Sequence, residues 1–322
     1  MNSEYLLRKI FHSAITLFIV LIINYFLFRI MPGDPVSMIM RNPNANPSML
    51  AQVKSLYGFD KPQLVQFAVY LRELVKGNFG MSFFYRQPVI DVIGSRLFAT
   101  LVLAFAAEIV AIFLGILLGK IAAVRRGEPV DAAILGFSLV TYAMPTFWLG
   151  IVFIAFFCVH LGLFPTVGMY TSGVTFAGFA DKAVDLAKHL FLPAVTLAVV
   201  IVGGYSMIMR SSLLDVLSED YITTARAKGL SRRDVINRHA VPNARLPIIT
   251  IIAINLGFMI AGALQVETVF SWPGIGRLMY EALKARDYPL LQGIFLIVSF
   301  CVILANFAAD IMYGYLDPRI RY

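Results

Sequence analysis

Tyr221-Ile-Thr-Thr-Ala-Arg-Ala-Lys-Gly-Leu-Ser-Arg-Arg-Asp-Val-Ile-Asn-Arg-His-Ala-Val-Pro242 is a polar island between two apolar stretches. A connection between two membrane helices needs only a few residues. This one runs from about Ser211 to Leu246 and carries the signals of folded chain. Leu214, Leu217, Tyr221 and Ala225 recur at helical spacing, which predicts one helix with a single apolar face starting near Ser212. Gly229 follows as a helix stop, because glycine accepts left-handed backbone. Ser231 stands where it caps a second helix, with Asp234 three residues on in the position of a capping box. Pro242 is expected to end or kink that helix.

Ala225, Ala227 and Gly229 leave little side chain around the break, and Arg226, Lys228, Arg232 and Arg233 surround it. Two readings stand side by side on these residues. An amphipathic segment lies on anionic lipid with its cations at the headgroups, or a small-residue break accepts the close approach of a soluble partner.

The apolar flanks dominate the rest of the chain. Of 322 residues, 59% are hydrophobic and 14% charged. A soluble domain has about 45–50% apolar and about 25% charged residues, so the chain reads as an all-α integral membrane protein. Six spans are expected, near residues 10–30, 97–124, 132–163, 190–209, 246–266 and 290–313. Each reaches the ~20 residues that a helix needs to cross a bilayer. Pro145 is expected to bend the third. The net charge of +8 follows from topology rather than from nucleic-acid binding. Arg8, Lys9, Lys120, Arg125, Arg126, the cations of the island, Arg319 and Arg321 fall on one side, which predicts both termini in the cytoplasm. The organisation expected is an anchor helix over 1–30, which is not a cleavable signal, and an external insertion over 31–96. A five-helix core over 97–316 follows, containing the island loop 211–246, and then a cytoplasmic tail over 317–322. The insertion opens with the turn signal Met31-Pro-Gly-Asp-Pro35, and short helices are expected around Ser48–Tyr57 and Gln63–Val75.

Motifs for chemistry are missing. The sequence has no GxxxxGK[ST] loop to cradle ATP phosphates. It has no CxxC or HExxH spacing, and Cys158 and Cys301 read as small buried hydrophobes. No catalytic residue, no metal ligand and no pathway or gate residue is assigned. Glu108 is read as the only acidic residue deep in a span. Its structural reading is a bundle-facing group paired with an asparagine or the backbone, against a functional reading in proton coupling. Asn24, Asn255 and Asn306 are expected to bond between helices. Trp148 and Trp272 are placed near the outer interface, with Trp272 in a structural turn.

The island resembles the cytoplasmic loop of the permease subunits of ATP-binding-cassette importers, whose pattern is Glu-Ala-Ala, a glycine four residues on, and a later Leu-Pro. Ala225, Gly229 and Pro242 match at that spacing, while Thr223, Thr224, His239 and Val241 depart from it. Thr224-Ala-Arg-Ala-Lys-Gly-Leu230, Arg238-His-Ala240 and Asn243-Ala244 are similar to the peptide-type branch (dipeptide, oligopeptide and nickel). So are Tyr57-Gly-Phe-Asp-Lys-Pro62, Gly77-Asn-Phe-Gly-Met-Ser82, Met144-Pro-Thr-Phe-Trp148, Phe164-Pro-Thr-Val-Gly168, Val266 to Gly276, Arg286-Asp-Tyr-Pro289 and Asp317-Pro-Arg-Ile-Arg321, in that order along the chain.

The resemblance implies a type I importer permease fold in a bacterial or archaeal cytoplasmic membrane. It implies half of a translocation pathway, with a second, similar permease beside it. Two ATPase subunits inside would bind ATP and magnesium, this chain holding no cofactor, and an external solute-binding protein would deliver cargo. The island would be the coupling segment: Tyr221, Thr224, Ala225, Arg226, Ala227, Lys228, Gly229, Leu230 and Pro242. Di- or oligopeptides are the expected cargo, with oligosaccharides or nickel and metallophore complexes as the alternative within the same class. A stand-alone secondary transporter is the alternative from another class, but the paired broken helices of internal repeats are not evident. An intramembrane enzyme lacks a nucleophile–base pair.

Overall fold

The computed structural model describes residues 3–30, 62–259 and 263–316. Among them the regular elements are helical, apart from one antiparallel bridge between Met81 and Pro88. The helices are α1 (Ser3–Ile30), α2 (Gln63–Val75), α3 (Val89–Val124), α4 (Pro129–Ala143) and α5 (Thr146–Phe153). A π-helical stretch, Ile154–His160, continues α5. Then come α6 (Phe179–Leu217), α7 (Asp220–Ala227) and α8 (Arg232–Asp234). A second π-helical stretch, Val235–Ala240, leads to α9 (Val241–Ala244), α10 (Leu246–Phe258), α11 (Leu264–Val269), α12 (Ile275–Ala285) and α13 (Tyr288–Leu316). The helix expected around Ser48–Tyr57, the Met31–Pro35 turn and the tail lie outside the described residues.

Four helical stretches are long and apolar enough to cross a bilayer: Leu7–Phe28, Val89–Val124, Phe179–Leu217 and Tyr288–Ala308. The bend expected at Pro145 is present. The third expected span is a bent pair, α4 and α5 with its π continuation, whose halves meet at 101°. Met144 is extended (φ −78°, ψ 130°) because the ring of Pro145 disfavours helical backbone before it. The proline therefore turns the chain instead of merely kinking a helix. Of the fifth expected span, α10 and α11 are described, and residues 260–262 between them lie outside the described residues.

α3 and α6 form the central pair. Gly115 and Gly119 of α3 lie directly against Tyr205, Ser206 and Met209 of α6, and a Cβ at either glycine would overlap that helix. Close approach through small residues replaces the hydrophobic drive that lipid cannot supply. Gly203 of α6 sits as tightly on the Ser138 carbonyl of α4. The 39 residues of α6 reach roughly 58 Å, so the helix outruns the bilayer. It stops at Leu217, and α7 starts anew at Asp220. The single helix expected across Ser212–Ala225 is therefore two.

α2 packs on α1 through Tyr25, whose ring centroid lies 5.0 Å from Phe67 and 5.4 Å from Tyr70. Asn24 donates to the Gln292 carbonyl at 3.1 Å, tying α1 to α13. In the turn after α2, hydrogen bonds from Lys76 and Asn78 hold the Glu73 carboxyl below the usual glutamate range. Large apolar side chains remain exposed on α4, α5 and the π stretch, including Val140, Tyr142, Trp148 and Val159. That surface suits lipid or a second membrane subunit.

Candidate functional site

The island folds as a strap beneath the ends of α3 and α6. Its inward side chains are Ile222, Ala225, Val235, Ile236 and Ala240, all buried, in one apolar cluster with Tyr205, Met209 and Leu213 of α6. Tyr221 is 42% exposed while Ile222 is fully buried. The break at Ser218–Glu219 rotates the buried face by one residue from the face that the spacing of Leu217 and Tyr221 predicts.

The break after α7 is a complete Schellman closure. The Gly229 N–H donates to the Arg226 carbonyl at 3.0 Å, and the Leu230 N–H to the Ala225 carbonyl at 3.4 Å. This geometry needs a left-handed residue, and Gly229 has φ +79°. A Cβ on Gly229 would meet nothing within 4 Å. The glycine is therefore required by the backbone, and its surroundings in this chain are open. Ser231 caps α8: its hydroxyl accepts from the Asp234 N–H at 3.1 Å and donates to Asp234 Oδ2 at 2.6 Å. The aspartate carboxylate, shorter than the glutamate of a full capping box, bonds the hydroxyl.

Pro242 does not end the second helix. It sits in the first turn of α9, directly after the π stretch. A proline lacks the N–H for an i−4 bond and crowds that carbonyl, and the wider π turn before it relieves both. The chain then remains helical to Ala244. Two contacts pin the strap to α3. Lys120 Nζ donates to Asn237 Oδ1 at 2.7 Å, and Arg232 donates to the Val124 carbonyl at 3.1 Å.

The residues singled out from sequence thus divide. Tyr221, Thr224, Arg226, Ala227, Lys228, Gly229, Leu230 and Pro242 lie on the exposed side of the strap. Ala225 points into the chain's own core, 6% exposed. The outward surface is one glycine turn bordered by the exposed Arg226, Lys228 and Leu230.

Glu108 is bundle-facing and 4% exposed. It accepts hydrogen bonds from the Tyr205 hydroxyl and, at 3.4 Å, from Asn255 Nδ2, which also donates to the Tyr205 oxygen at 2.9 Å. The cluster joins α3, α6 and α10. Asn306 is exposed. Trp272 is fully buried and donates to the Ala99 carbonyl at 2.8 Å, so it is a core residue, whereas Trp148 is half exposed.

Three further buried carboxylates escaped the sequence reading. Asp131 takes a two-pronged bond from Arg210, at 2.6 and 2.8 Å, joining α4 to α6 near the strap. At the opposite end Glu267 accepts from Thr100 Oγ1 at 2.9 Å and from the Arg277 N–H at 3.0 Å. Asp287 accepts from Ser82 Oγ at 2.5 Å and the Phe84 N–H at 3.0 Å, locking the 81–88 hairpin to the start of α13. Among the described residues no three His, Cys, Asp or Glu side chains gather as a metal site.

Residues 111–322 match the family described as "Binding-protein-dependent transport system inner membrane component", and residues 2–104 match its N-terminal companion. The chain is 38% identical over 320 residues to the "Di/tripeptide transport system permease protein DppB" of Pseudomonas aeruginosa strain UCBPP-PA14, covering 95% of each. It is 38% identical over 335 residues to the "Dipeptide transport system permease protein DppB" of Escherichia coli strain K12, covering 99% of each. Identity is 36% to the "Glutathione transport system permease protein GsiC" of the same strain, again over 99% of each. In shape the chain is similar to a chain of the inward-facing MetNI methionine ABC transporter. The TM-score is 0.56 at 15% identity, covering 71% of this chain and 97% of that one, a likeness of fold.

Proposed function

This chain belongs to the inner-membrane components of binding-protein-dependent transport systems, and we propose that it forms half of the pathway of an ATP-driven importer for di- and oligopeptides. The substrate rests on the relatives named for dipeptides, di/tripeptides and glutathione, itself a short peptide derivative. The chain is the non-catalytic membrane part. A second homologous permease completes the pathway, two ATPase subunits bind ATP and magnesium, and an external solute-binding protein brings the peptide.

The observation that carries the mechanism is the strap. A glycine turn with open surroundings is exposed beside Arg226, Lys228 and Leu230 and held from behind by a buried apolar face. It serves as the coupling segment that enters a cleft of the ATPase. Closure of the ATPase pair on ATP pushes the strap, and the strap moves α3, to which it is hydrogen-bonded, and α6, against which it packs. Such a transition is a rigid-body or hinge motion of packed helices. Six crossings are part of the proposal: the four long helices, the bent α4–α5 pair, and the α10 region. The basic loops put both termini and the strap in the cytoplasm, with the insertion over 31–96 outside.

The test is to purify the transporter with its partner subunits, identify the ligand of the co-purifying external protein, and reconstitute uptake. Peptide-stimulated ATP hydrolysis with peptide accumulation is expected. A sugar or metal chelate bound by the external protein would overturn the peptide assignment, and uptake without any ATPase subunit would overturn the importer mechanism.

A further inference from the structure

The 81–88 hairpin and the corner between α12 and α13 are bonded into one unit at the end of the bundle away from the strap. Asp287 accepts from Ser82 and from the Phe84 N–H, and the Tyr85 hydroxyl donates to Glu281 Oε2 at 2.7 Å. Behind the unit stand Val89, Leu278, Ala282 and Leu290, all buried in one apolar cluster. What the unit turns outward is apolar and basic. Phe84 is 61% exposed and Leu283 56%. Arg86, Lys284 and Arg286 are exposed with them, and none of the three has an ion-pair partner among the described residues. The two carboxylates of the corner are turned to the chain itself: Asp287 is buried, and Glu281 also accepts from Arg277 Nε at 2.8 Å.

Both arginines hold left-handed backbone, Arg86 at φ 55° and Arg286 at φ 54°. Glycine takes that conformation freely, and asparagine takes it more readily than other residues with a Cβ. Among the described residues Ser271 is the one other non-glycine with a positive φ. A cation suits the C-terminal end of α12, which accounts for Arg286 but not for Arg86 in the hairpin. A corner that twice keeps arginine where glycine would be easier keeps it for the side chain, and no carboxylate of the described chain pairs with either.

Height above the membrane separates a soluble partner from a lipid. The apolar span of α1 ends at Phe28, followed by Arg29, and the Phe28 ring lies 5.8 Å from that of Phe295 on α13. Tyr288 stands two helical turns before Phe295, roughly 10 Å. On α3, Arg96 precedes the long apolar run, and Val89 stands two turns before it, again roughly 10 Å. The headgroup layer is roughly 5–8 Å thick. The first turns of α3 and α13 are apolar all the same because Val89, Val92, Leu290 and Leu291 are buried in the chain's own core. The corner therefore stands clear of the headgroups, where Phe84 and Leu283 face water unless a soluble partner covers them.

We propose that this corner is a docking surface for the external solute-binding protein. Phe84 and Leu283 form the apolar centre of the contact, and Arg86, Lys284 and Arg286 pair with carboxylates of the binding protein around it. An apolar or aromatic centre with arginines is the composition of protein interfaces. The chain's family depends on a binding protein by its description. The assignment of this surface to it rests on the orientation and importer reading proposed above.

The experiment uses the whole transporter complex in nanodiscs of neutral lipid, titrated with its co-purifying solute-binding protein, with binding read by biolayer interferometry beside ATP hydrolysis. Arg86→Asn/Arg286→Asn removes two charges and keeps residues that tolerate the left-handed backbone. It should keep basal ATP hydrolysis and bind the solute-binding protein roughly 2–30-fold more weakly at low salt, the worth of two exposed ion pairs. The difference should close near ~1 M salt, where screening acts within about 3 Å. Arg86→Lys/Arg286→Lys keeps both charges and should stay close to the wild type, while Phe84→Ser should weaken binding at low and high salt alike. Wild-type affinity in the asparagine pair overturns the proposal, as does an equal loss in the lysine pair or a loss that salt does not alter. An effect of the variants that appears only in nanodiscs of anionic lipid makes the occupant a headgroup and also overturns it. A wild-type complex that the binding protein never engages refutes the importer reading itself, and this surface with it.

Discussion

Replacing Gly229 separates two demands that the turn places on one residue. The first is backbone. At φ +79° an L-residue with a Cβ costs roughly 1–2 kcal/mol relative to glycine. Alanine should therefore lower the population of the closed turn by a factor of about 5–30, with no clash inside the chain, because a Cβ there meets nothing within 4 Å. The second is space for a partner, which this chain leaves open. Asparagine tolerates the left-handed region better than other residues with a Cβ but is far larger than glycine, whereas alanine is small and strained. The series Gly229→Ala, Gly229→Asn and Gly229→Leu thus reads the two effects apart in reconstituted complexes, by peptide-stimulated ATP hydrolysis and by peptide taken up per ATP. All three should insert and assemble, since the buried cluster of Ile222, Val235 and Ile236 is untouched. Docking predicts that coupling falls with size, with Leu and Asn worse than Ala. A purely conformational role predicts that Asn outperforms Ala. Wild-type coupling in Gly229→Leu would refute both and remove the turn from the mechanism.

Arg210→Ala leaves Asp131 with only the Gly127 N–H as donor, a loss below the roughly 3–5 kcal/mol of a fully buried pair because Arg210 is partly exposed; a drop in detergent thermal stability is expected, and an unchanged melting temperature would sink the argument. Glu108→Gln keeps an acceptor for Tyr205 and Asn255 and should preserve both stability and transport, whereas Glu108→Ala leaves the buried Tyr205 hydroxyl without its acceptor, at roughly 1–3 kcal/mol, while Asn255 still donates to the Tyr205 oxygen. Transport lost in the Gln variant at unchanged stability would instead point to a proton-carrying role. Asp287→Ala should speed hydrogen exchange across residues 81–88, because Ser82 and the Phe84 N–H lose their acceptor; unchanged protection would show that the hairpin is held otherwise. The native Glu73 carboxyl is depressed by Lys76 and Asn78, so its support of the turn is complete above the unfolded glutamate value. That support should fade as pH falls through the lowered native value, and Glu73→Gln should abolish the fading.

What was legible in the sequence is what the chain decides within four or five residues. Gly229 and Ser231 were readable because the Schellman bonds and the cap run between neighbours. The Gln63–Val75 helix was readable from its pattern in the same way. The end of α6 was not. Leu217 and Tyr221 continue a helical stripe, and only the packing of Ile222 into the cluster with Met209 and Leu213 shows that the stripe is broken. Pro145 announced a bend, but its 101° depends on distant chain: Gly150 of α5 lies so close to Val269 and Phe270 that a Cβ there would stand 3.2 Å from each. Glu108 stood out as a carboxylate inside an apolar run. Asp131, Glu267 and Asp287 did not, because each lies near a helix end, where a carboxylate reads as solvated. Their partners Arg210, Thr100 and Ser82 are 79, 167 and 205 residues away. Those non-local bonds give the strap something to act on. Lys120 and Arg232 bond the strap to α3, and Asp131 bonds α4 to α6. A displacement of α7 under the proposed mechanism therefore reaches the bent α4–α5 pair through buried charge and close glycine contacts. In that mechanism the turn supplies the contact with the ATPase, while the stroke depends on carboxylates that only the folded chain reveals.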